Sequence, residues 1–456
     1  MGQIQDIVNV ANQWIWGPPL LIFLVIVGLY LTIRTRGVQF RYFYYAHKIA
    51  FTKGTKDEKE GGDISHFEAL MTALAGTIGI GSITGVATAV SIGGLGSIFW
   101  MWVAACFGMA TKYGEGILAV KFREKDEKGE MSGGPMYYID KGLGWRWLAI
   151  LFALFAGITA LSTGNMIQAN SVALAVNNLL GWNPLWTGAL LAVAVASALL
   201  GGIKSIGKVV AILVPAMAAF FIAGGLLIIF YKIQAIPSAF GMIFRAAWSG
   251  SSAVGGFAGA TVMMAIQLGV SRGIFSSEAG LGTSPIAAAA AKTDTPGRQA
   301  LVSMCSVFIT TGIVCTITAL VIAVSGVFGE IGVDGKALNG SALALRAFDA
   351  IIPYGGLMVT IALIPFAYST ILGWAYYGEK CMEYLFGERS VIYYRLVAIT
   401  ASFFGALLSL DLVWGIANAL NGLMALPNLI GLFALGGIIG KETRHFDAIV
   451  RKERGK

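Results

Sequence analysis

Charge is what this chain has least of. Only 12% of its 456 residues are Asp, Glu, Lys or Arg, roughly half of what a soluble domain carries. That scarcity sets aside an ordinary water-soluble fold. Histidine is scarcer still, with three (His47, His66, His445), and the four cysteines (Cys106, Cys305, Cys315, Cys381) fall in or beside apolar segments. Neither set has metal-ligand spacing, so no metal site or catalytic triad follows from them, and the cysteines read as packed thiols. No G-x-x-x-x-G-K-[ST] loop occurs, which removes the usual sequence sign of nucleotide-driven work. A cleavable leader is missing too. The first apolar run, 16–33, has no basic start and no small-residue cleavage site, and we read it as a retained helix.

What the chain has in excess is apolar sequence, 57% of residues. It gathers repeatedly into runs of about 18 residues or more, the length that crosses a bilayer as helix. Eleven such segments are expected, at about 16–33, 65–91, 94–121, 147–178, 184–201, 207–231, 252–290, 299–326, 352–380, 391–409 and 412–440. The expected fold is an all-α polytopic membrane protein of about 11 transmembrane helices. A formal net charge of +8 invites a nucleic-acid partner, but the basic residues lie between the apolar segments rather than in a patch. With the N-terminus outside, the inner connections hold 27 of the 32 Lys and Arg residues, Arg272 and Lys380 among them. The positive-inside rule then expects a multi-pass protein of the cell (plasma) membrane, N-terminus outside and C-terminus cytoplasmic, with no nucleic acid bound. The stretch 35–64 interleaves Phe40, Tyr42, Phe43 and Tyr44 with basic residues before K-G-T-K-D-E-K-E. It reads as an interfacial amphipathic segment followed by a solvated loop.

Within this background Ala73 to Gly85 stands apart: A-L-A-G-T-I-G-I-G-S-I-T-G carries four glycines with Thr77, Ser82 and Thr84. Glycine costs a helix about 1 kcal/mol relative to alanine, and an unwound backbone in lipid leaves N–H and C=O groups that find no water. Such a break is tolerated only where those groups face protein or a wet cavity. Setting the first helix aside leaves ten spans. The sixth of them, 252–290, is again glycine-rich, with G-G-F-A-G-A-T-V-M-M-A-I-Q-L-G-V-S-R-G, and a second break is expected there over 256–272. Interrupted segments in matching places of two halves are the sequence mark of a secondary transporter's midplane site. The expected organisation is one transmembrane domain: 1–64 with the first helix and an amphipathic loop, five-helix repeats at 65–232 and 233–440, and a basic tail at 441–456. The alternative is close helix packing, which Gly81-x-x-x-Gly85 also fits.

A half-helix start presents free N–H groups that suit a carboxylate, and a half-helix end presents carbonyls that suit an ammonium or a small hard cation. A break offering both matches a zwitterion travelling with Na+. The backbone of Thr77, Ile78, Gly79, Ile80, Gly81 and Ser82 is expected to take the carboxylate, and carbonyls of Ala75 and Ile78 the ion. In the fourth span Asn165 and Gln168 lie three apart and share a helix face; their amides either bond a ligand or bridge helices. Met264 and Gln267 accompany the expected second break. In the ninth span P-F-A-Y-S-T-I-L-G-W offers the hydroxyls of Ser369 and Thr370 to a sodium shell. Trp374 comes one turn beyond Thr370, where it caps the cavity or is plain core. Ionisable residues inside a span are site candidates by default. Lys112 and Glu115 read as a structural pair, and Arg272 with Glu278 as an inner gate or another such pair.

Three motifs resemble a known family. G-G-L-G-S-I-F-W-M-W-V-A-A-C-F-G at Gly93 to Gly108 is similar to the signature of the alanine-or-glycine:cation symporters, with Ser97 where Gly or Ala is usual. M-S-G-G-P-M-Y-Y-I from Met131 and F-S-S-E-A-G-L-G-T-S-P from Phe275 resemble the same family, and the match extends over essentially the whole chain. The resemblance implies a sodium-coupled, in some members proton-coupled, carrier for alanine and glycine within the amino acid–polyamine–cation superfamily. It also implies the leucine-transporter-like fold of five-plus-five inverted repeats, here preceded by one extra helix. In that fold unwound first and sixth core helices hold the substrate, falling here on Gly76 to Ser82 and on Ile266 to Gly269. The third and eighth core helices complete the pocket, near Gln168 and at Ser369 to Trp374. The common sodium site falls on Ala75, Ile78, Ser369 and Thr370. Ser82 stands where some relatives carry an asparagine for a second sodium, so one cation is expected. The expected function is import of alanine or glycine with Na+ by alternating access within the lipid bilayer. Its rivals are proton coupling or another small amino acid on the same scaffold, a channel, and a membrane enzyme.

Overall fold

The structure, a computed structural model, describes residues 2–52, 61–249, 261–332, 335, 337–408 and 411–453. The only named strands among them are the two-residue antiparallel pair Glu124–Lys125 and Met131–Ser132; everything else regular is helix. The all-α expectation therefore holds. Six helices are long and apolar enough to cross a membrane, and the bent pair His66–Thr77 and Ile80–Gly93 makes a seventh. The other four expected segments also contain helix: Gly96–Lys121, Pro184–Leu199, Val262–Ser277 with Ser284–Ala289, and Ser390–Gly405. Each of these is short, broken or polar enough to fail a test of length and apolarity alone.

The chain ends hold two features that the sequence reading did not anticipate. A helix Gly2–Ile15 precedes Pro18–Arg34, whose two leading prolines suit a first turn with no N–H to satisfy. It is tied to helix Asp411–Ala434 by Asn12 Nδ2 donating to the Gly415 carbonyl (2.8 Å), and Trp16 just beyond it donates Nε1 to the Asn418 carbonyl (2.8 Å). At the other terminus the expected basic tail is a helix, Gly436–Glu453. It holds down the aromatic segment through Arg41 and Tyr42, both bonded to Asp447. That segment forms two short helices, Val38–Arg41 and Phe43–Phe51, with Phe40 and Tyr44 exposed as an interfacial stretch requires. The K-G-T-K-D-E-K-E run lies outside the described residues.

The first expected break is present. Helix His66–Thr77 opens on a capping box, with Glu68 N–H donating to Ser65 Oγ and Ser65 N–H to the Glu68 carboxylate, an arrangement worth about 1 kcal/mol. It ends at Ile78, and the chain turns through 65° by way of a 3-10 turn at Ile80–Ser82 into Thr84–Gly93. The carbonyls this frees are met by side chains. Thr370 Oγ1 is 2.9 Å from the Ala75 oxygen, Trp374 Nε1 donates to Gly76 (3.2 Å), and Ser82 Oγ to Thr77 (3.2 Å). Ser276 and Thr318 hydroxyls reach the oxygens of Gly81 and Ser82.

The second break is real but displaced. Val262–Ser277 is one continuous helix, so Ile266 to Gly269 are not unwound, and G-G-F-A-G at 255–259 lies outside the described residues. The chain opens instead at Glu278, in the left-handed region (φ 54), and runs through Gly280 (φ 88) and Gly282 (φ 85) before Ser284–Ala289. Lys112 and Glu115, expected as a pair with each other, serve this loop. Lys112 Nζ donates to the Ser277 carbonyl (2.8 Å), and Glu115 Oε1 accepts the N–H groups of Gly280 (3.1 Å) and Gly282 (3.2 Å). Asn428 Nδ2 donates to both Glu115 Oε1 (2.7 Å) and the Gly280 oxygen (2.9 Å), while its own oxygen accepts from Tyr138.

The two ends of the bundle differ. At the end reached by Lys121 and Phe386 the structure is bolted shut. Lys380 Nζ bonds Asp126 (3.1 Å), Ser132 (2.9 Å) and Glu383 (2.8 Å), and Arg395 grips Glu379 with two nitrogens. Arg123 donates to the carbonyls of Gly61, Ala289 and Ala291, joining three connections. At the opposite end, among Trp16, Ile92, Met264 and Trp414, a vestibule of about 800 Å3 opens.

The loop at the second break depends on a buried acceptor, and that dependence is measurable. Replacing Glu115 by Leu strands three N–H donors, each worth about 1–3 kcal/mol when left unpaired in a protein interior. Glu115→Gln keeps the acceptor oxygen. In detergent-purified protein the unfolding temperature should fall much further for the Leu variant than for the Gln variant. Equal values for the two would mean the loop is held by something else.

Candidate functional site

Where the first break faces helix Gly355–Phe386, the walls leave a cavity of about 20 Å3, room for about one water-sized group. Its floor is main chain from Gly76, Thr77, Gly79 and Gly81; its sides are Thr163, Gln168, Thr370 and Trp374, with Phe275, Glu278 and Leu281 from around the second break. Both interrupted segments therefore meet at one spot. Two glycines make the approach possible. A Cβ on Gly79 would come within 2.6 Å of Thr370 Oγ1, and one on Gly164 within 2.2 Å of the Trp374 Cβ.

The main-chain polarity of the first break is lopsided. The carbonyls of Ala75, Gly76, Thr77, Gly81 and Ser82 are occupied, as described above, whereas no hydrogen bond among the described residues engages the N–H groups of Gly79, Ile80 or Gly81, or the Ile78 oxygen. Gly79 and Gly81 line the cavity, so donors stand ready there for an anionic group. On the acceptor side, Thr370 Oγ1 lies 2.9 Å from the Ala75 oxygen and 2.8 Å from that of Phe366 in its own helix. That pair, expected as part of a sodium shell, is brought together. Ser369 is not: its hydroxyl donates to Phe366 (3.0 Å) and approaches the Met217 sulfur (3.6 Å), because consecutive helix positions point about 100° apart. Ile78 is fully buried and takes the last helical bond, to Leu74 (2.6 Å).

The expected side-chain contacts divide in the same way. Gln168 lines the cavity; its Nε2 donates to the Thr163 carbonyl (3.2 Å), leaving Oε1 buried without a partner. Asn165 does not line it. Its Nδ2 donates to the Ala398 carbonyl (3.1 Å), which makes it a bridge between helices. Met264 and Gln267, placed by the sequence reading at the second break, belong to the continuous helix Val262–Ser277 and line the vestibule instead. Ile80 is buried in the 3-10 turn but is not a cavity residue. Arg272, expected on the inner side, lines the vestibule and lies 5.9 Å from the Phe275 ring. Phe275 borders both spaces and separates them.

Several members of this site had no place in the sequence reading. Thr163 is carried by a π-helical stretch, Ala160–Met166, whose wider turn interrupts Arg146–Leu180 just before Gln168. A second one, Phe308–Cys315, brings the Thr310 hydroxyl within 3.2 Å of that of Thr77. Asn421 Nδ2 supports Thr163 Oγ1 (2.9 Å). π-helical insertions often mark functional sites, yet they leave no reliable trace in composition. Glu278 was legible as an ionisable group inside a span; its position against the cavity was not.

Comparison with known proteins points the same way. The family model described as the sodium:alanine symporter family matches residues 1–456. The chain is 53% identical over 452 residues to the sodium/alanine symporter AgcS of Methanococcus maripaludis, covering 98% of each protein. It is 33% identical to a Bacillus subtilis protein named "Probable sodium/glutamine symporter GlnT", covering 99% of this chain and 92% of that one. Among solved structures, the substrate-bound outward-open state of a Na+-coupled sialic acid symporter superposes with a TM-score of 0.58 over 93% of this chain and 86% of that one, at 16% identity. The fold is the leucine-transporter-like one.

The contact between Gly164 and Trp374 sets a test of this packing. Gly164→Ala forces a methyl into the tryptophan's base, and overpacking of this kind costs about 1–3 kcal/mol. A lowered unfolding temperature and an altered tryptophan emission are expected. Gly241→Ala, in a helix and where a Cβ meets nothing within 4 Å, should leave the emission unchanged and hold or raise the unfolding temperature; a fall like that of Gly164→Ala would remove the constraint.

Proposed function

Because the chain belongs to the sodium:alanine symporter family, a family of transporters and not of enzymes, we propose that it imports alanine, and glycine after it, together with Na+. The observation that carries this reading is the convergence of two interrupted helices on one small cavity, lined by Gly79 and Gly81 with unengaged amides and by Thr370, whose hydroxyl meets the Ala75 carbonyl. A small zwitterion fits that division: its carboxylate against the N–H groups of Gly79, Ile80 and Gly81, its coupling ion at Ala75 and Thr370. Trp374 is 3% exposed and stands over the cavity beside Gly164. Its bulk limits the substrate side chain that can enter, favouring alanine and glycine over a long amide such as glutamine.

A cavity of about 20 Å3 does not hold even alanine, so the walls part for binding. The vestibule supplies the route to it, and Phe275 is the partition. With the N-terminus outside, as the distribution of Lys and Arg supports, the vestibule faces outward and the ion-paired end faces the cytoplasm. Alternating access then consists of closing the vestibule and releasing the contacts of Lys380, Arg395 and Arg123. Moving Arg272 to the outer side subtracts one residue from the inner count and leaves the bias intact. The ion gradient drives the cycle. Sodium bridging Ala75 and Thr370 would order the end of helix His66–Thr77 and so prepare the amides beyond it.

Two substitutions test the two halves of this reading. Thr370→Val keeps shape and removes the oxygen facing Ala75; the Na+ concentration for half-maximal alanine uptake should rise at least tenfold. An unchanged Na+ requirement takes Thr370 out of the ion site. Trp374→Ala should let larger amino acids, glutamine included, compete with alanine for uptake into vesicles. Unaltered selectivity would make the tryptophan core and nothing more.

A further inference from the structure

Glu278, at the second break, is the acidic side chain that lines this cavity, and one of its oxygens has no hydrogen-bond partner. Glu278 is fully buried, and its Oε2 accepts the Thr283 hydroxyl at 2.7 Å. Oε1 has no hydrogen-bond partner and borders the cavity, 3.1 Å from where a Cβ on Gly76 would stand. The charged side chains around it come from Gly96–Lys121: Lys112, bonded to the Ser277 carbonyl, and Glu115, whose Oε1 takes three N–H donors from Gly280, Gly282 and Asn428. From Gly355–Phe386 it is faced by two neutral donors, Trp374 and Tyr377, already directed at Gly76 and Thr72 carbonyls. One buried ammonium thus stands among two buried carboxylates. A desolvated charge left in that state is costly, and an arriving cation would relieve it.

We propose that Glu278 is the counter-charge of the transported amino acid's ammonium group. This rests on the reading of the protein as an amino-acid symporter. The ammonium is favoured over the coupling ion by what surrounds Oε1. A sodium shell needs several oxygens converging on one point, and the oxygen pair suited to that is Thr370 with Ala75. Among the neighbouring polar groups, Trp374 and Tyr377 donate to the Gly76 and Thr72 carbonyls and Thr283 donates to Oε2, so they complete a carboxylate's surroundings without adding ligands for a hard cation. The opposite face of the cavity presents the amides of Gly79 and Gly81. A zwitterion spanning from those amides to Glu278 places each charge against its complement. A charged group on the second break also makes that break a reader of substrate, since an acid lacking the ammonium would leave Glu278 uncompensated.

The test uses purified full-length protein and three titrations monitored by tryptophan fluorescence: Na+ alone, alanine at saturating Na+, and lactate, which replaces the ammonium by a hydroxyl, as a competitor of alanine. For Glu278→Gln the Kd for alanine should rise at least tenfold while the response to Na+ alone stays within twofold of the unsubstituted protein. Alanine affinity within twofold of normal overturns the proposal and leaves the proposed function standing. A tenfold weaker Na+ response with alanine affinity unchanged at saturating Na+ also overturns it, handing Glu278 to the ion. The lactate arm needs no variant: a hundredfold excess should fail to displace alanine, and displacement on equal terms overturns the proposal even if the substituted protein does not fold. Failure of the unsubstituted protein to bind alanine in Na+ would overturn the functional reading together with this one.

Discussion

An interrupted helix inside a bilayer must find partners for its own main chain, and this architecture depends on how those partners are supplied. Lipid offers none. At the first break neutral donors do the work: Thr370, Trp374, Ser82, Ser276 and Thr318 take the carbonyls of Ala75, Gly76, Thr77, Gly81 and Ser82. At the second the partners are charged, with Lys112 on the helix end and Glu115 on the loop amides. Thr370 and Trp374 come from Gly355–Phe386, and Lys112 and Glu115 from Gly96–Lys121, two helices that remain unbroken. Two continuous rods therefore hold two interrupted ones open.

The consequence for function lies in what is left over. Most carbonyls at the first break are met, but among the described residues the N–H groups of Gly79 to Gly81 are not, and it is on those amides that the proposed carboxylate site rests. Close approach keeps that site small. Gly79 lets Thr370 near the main chain, and Gly164 lets Trp374 near the π-helical stretch that carries Thr163. On the proposed function, the same contacts that set this geometry would set the size of the substrate side chain.

Sequence reading placed the first break within Ala73 to Gly85, where four glycines coincide with hydroxyls, and the interruption falls inside that stretch, between Thr77 and Thr84. It misplaced the second by about a dozen residues, and the reason is physical. Gly269 and the pair Gly280 and Gly282 look alike when counted, but they serve different ends. Gly269 lies where a Cβ would come within 2.4 Å of the Ser97 carbonyl, so it permits two continuous helices to touch. Gly280 and Gly282 adopt positive φ, which opens the chain. The E-A-G-L-G-T stretch was legible as a family motif, and its glycine spacing beside an intramembrane glutamate was the available signal for unwinding. Asn165 and Gln168 share a face in a regular helix; the π-helical turn between them rotates one toward Ala398 and the other toward the cavity.

The contrast between neutral and charged partners also bears on which break can yield. A neutral hydrogen bond contributes about 1 kcal/mol net, and its loss is readily offset by an ion or a ligand that takes over the same carbonyl. Removing one member of a buried charged arrangement costs about 3–5 kcal/mol, and nothing small replaces Glu115 against the Gly280 and Gly282 amides. The first break is thus suited to exchange of partners, with Thr370 able to trade its bond to Ala75 for a shared cation. The second is suited to keep its shape while presenting Glu278. A site made of one compliant and one fixed wall can bind a substrate tightly enough to register it and still release it when the compliant wall relaxes.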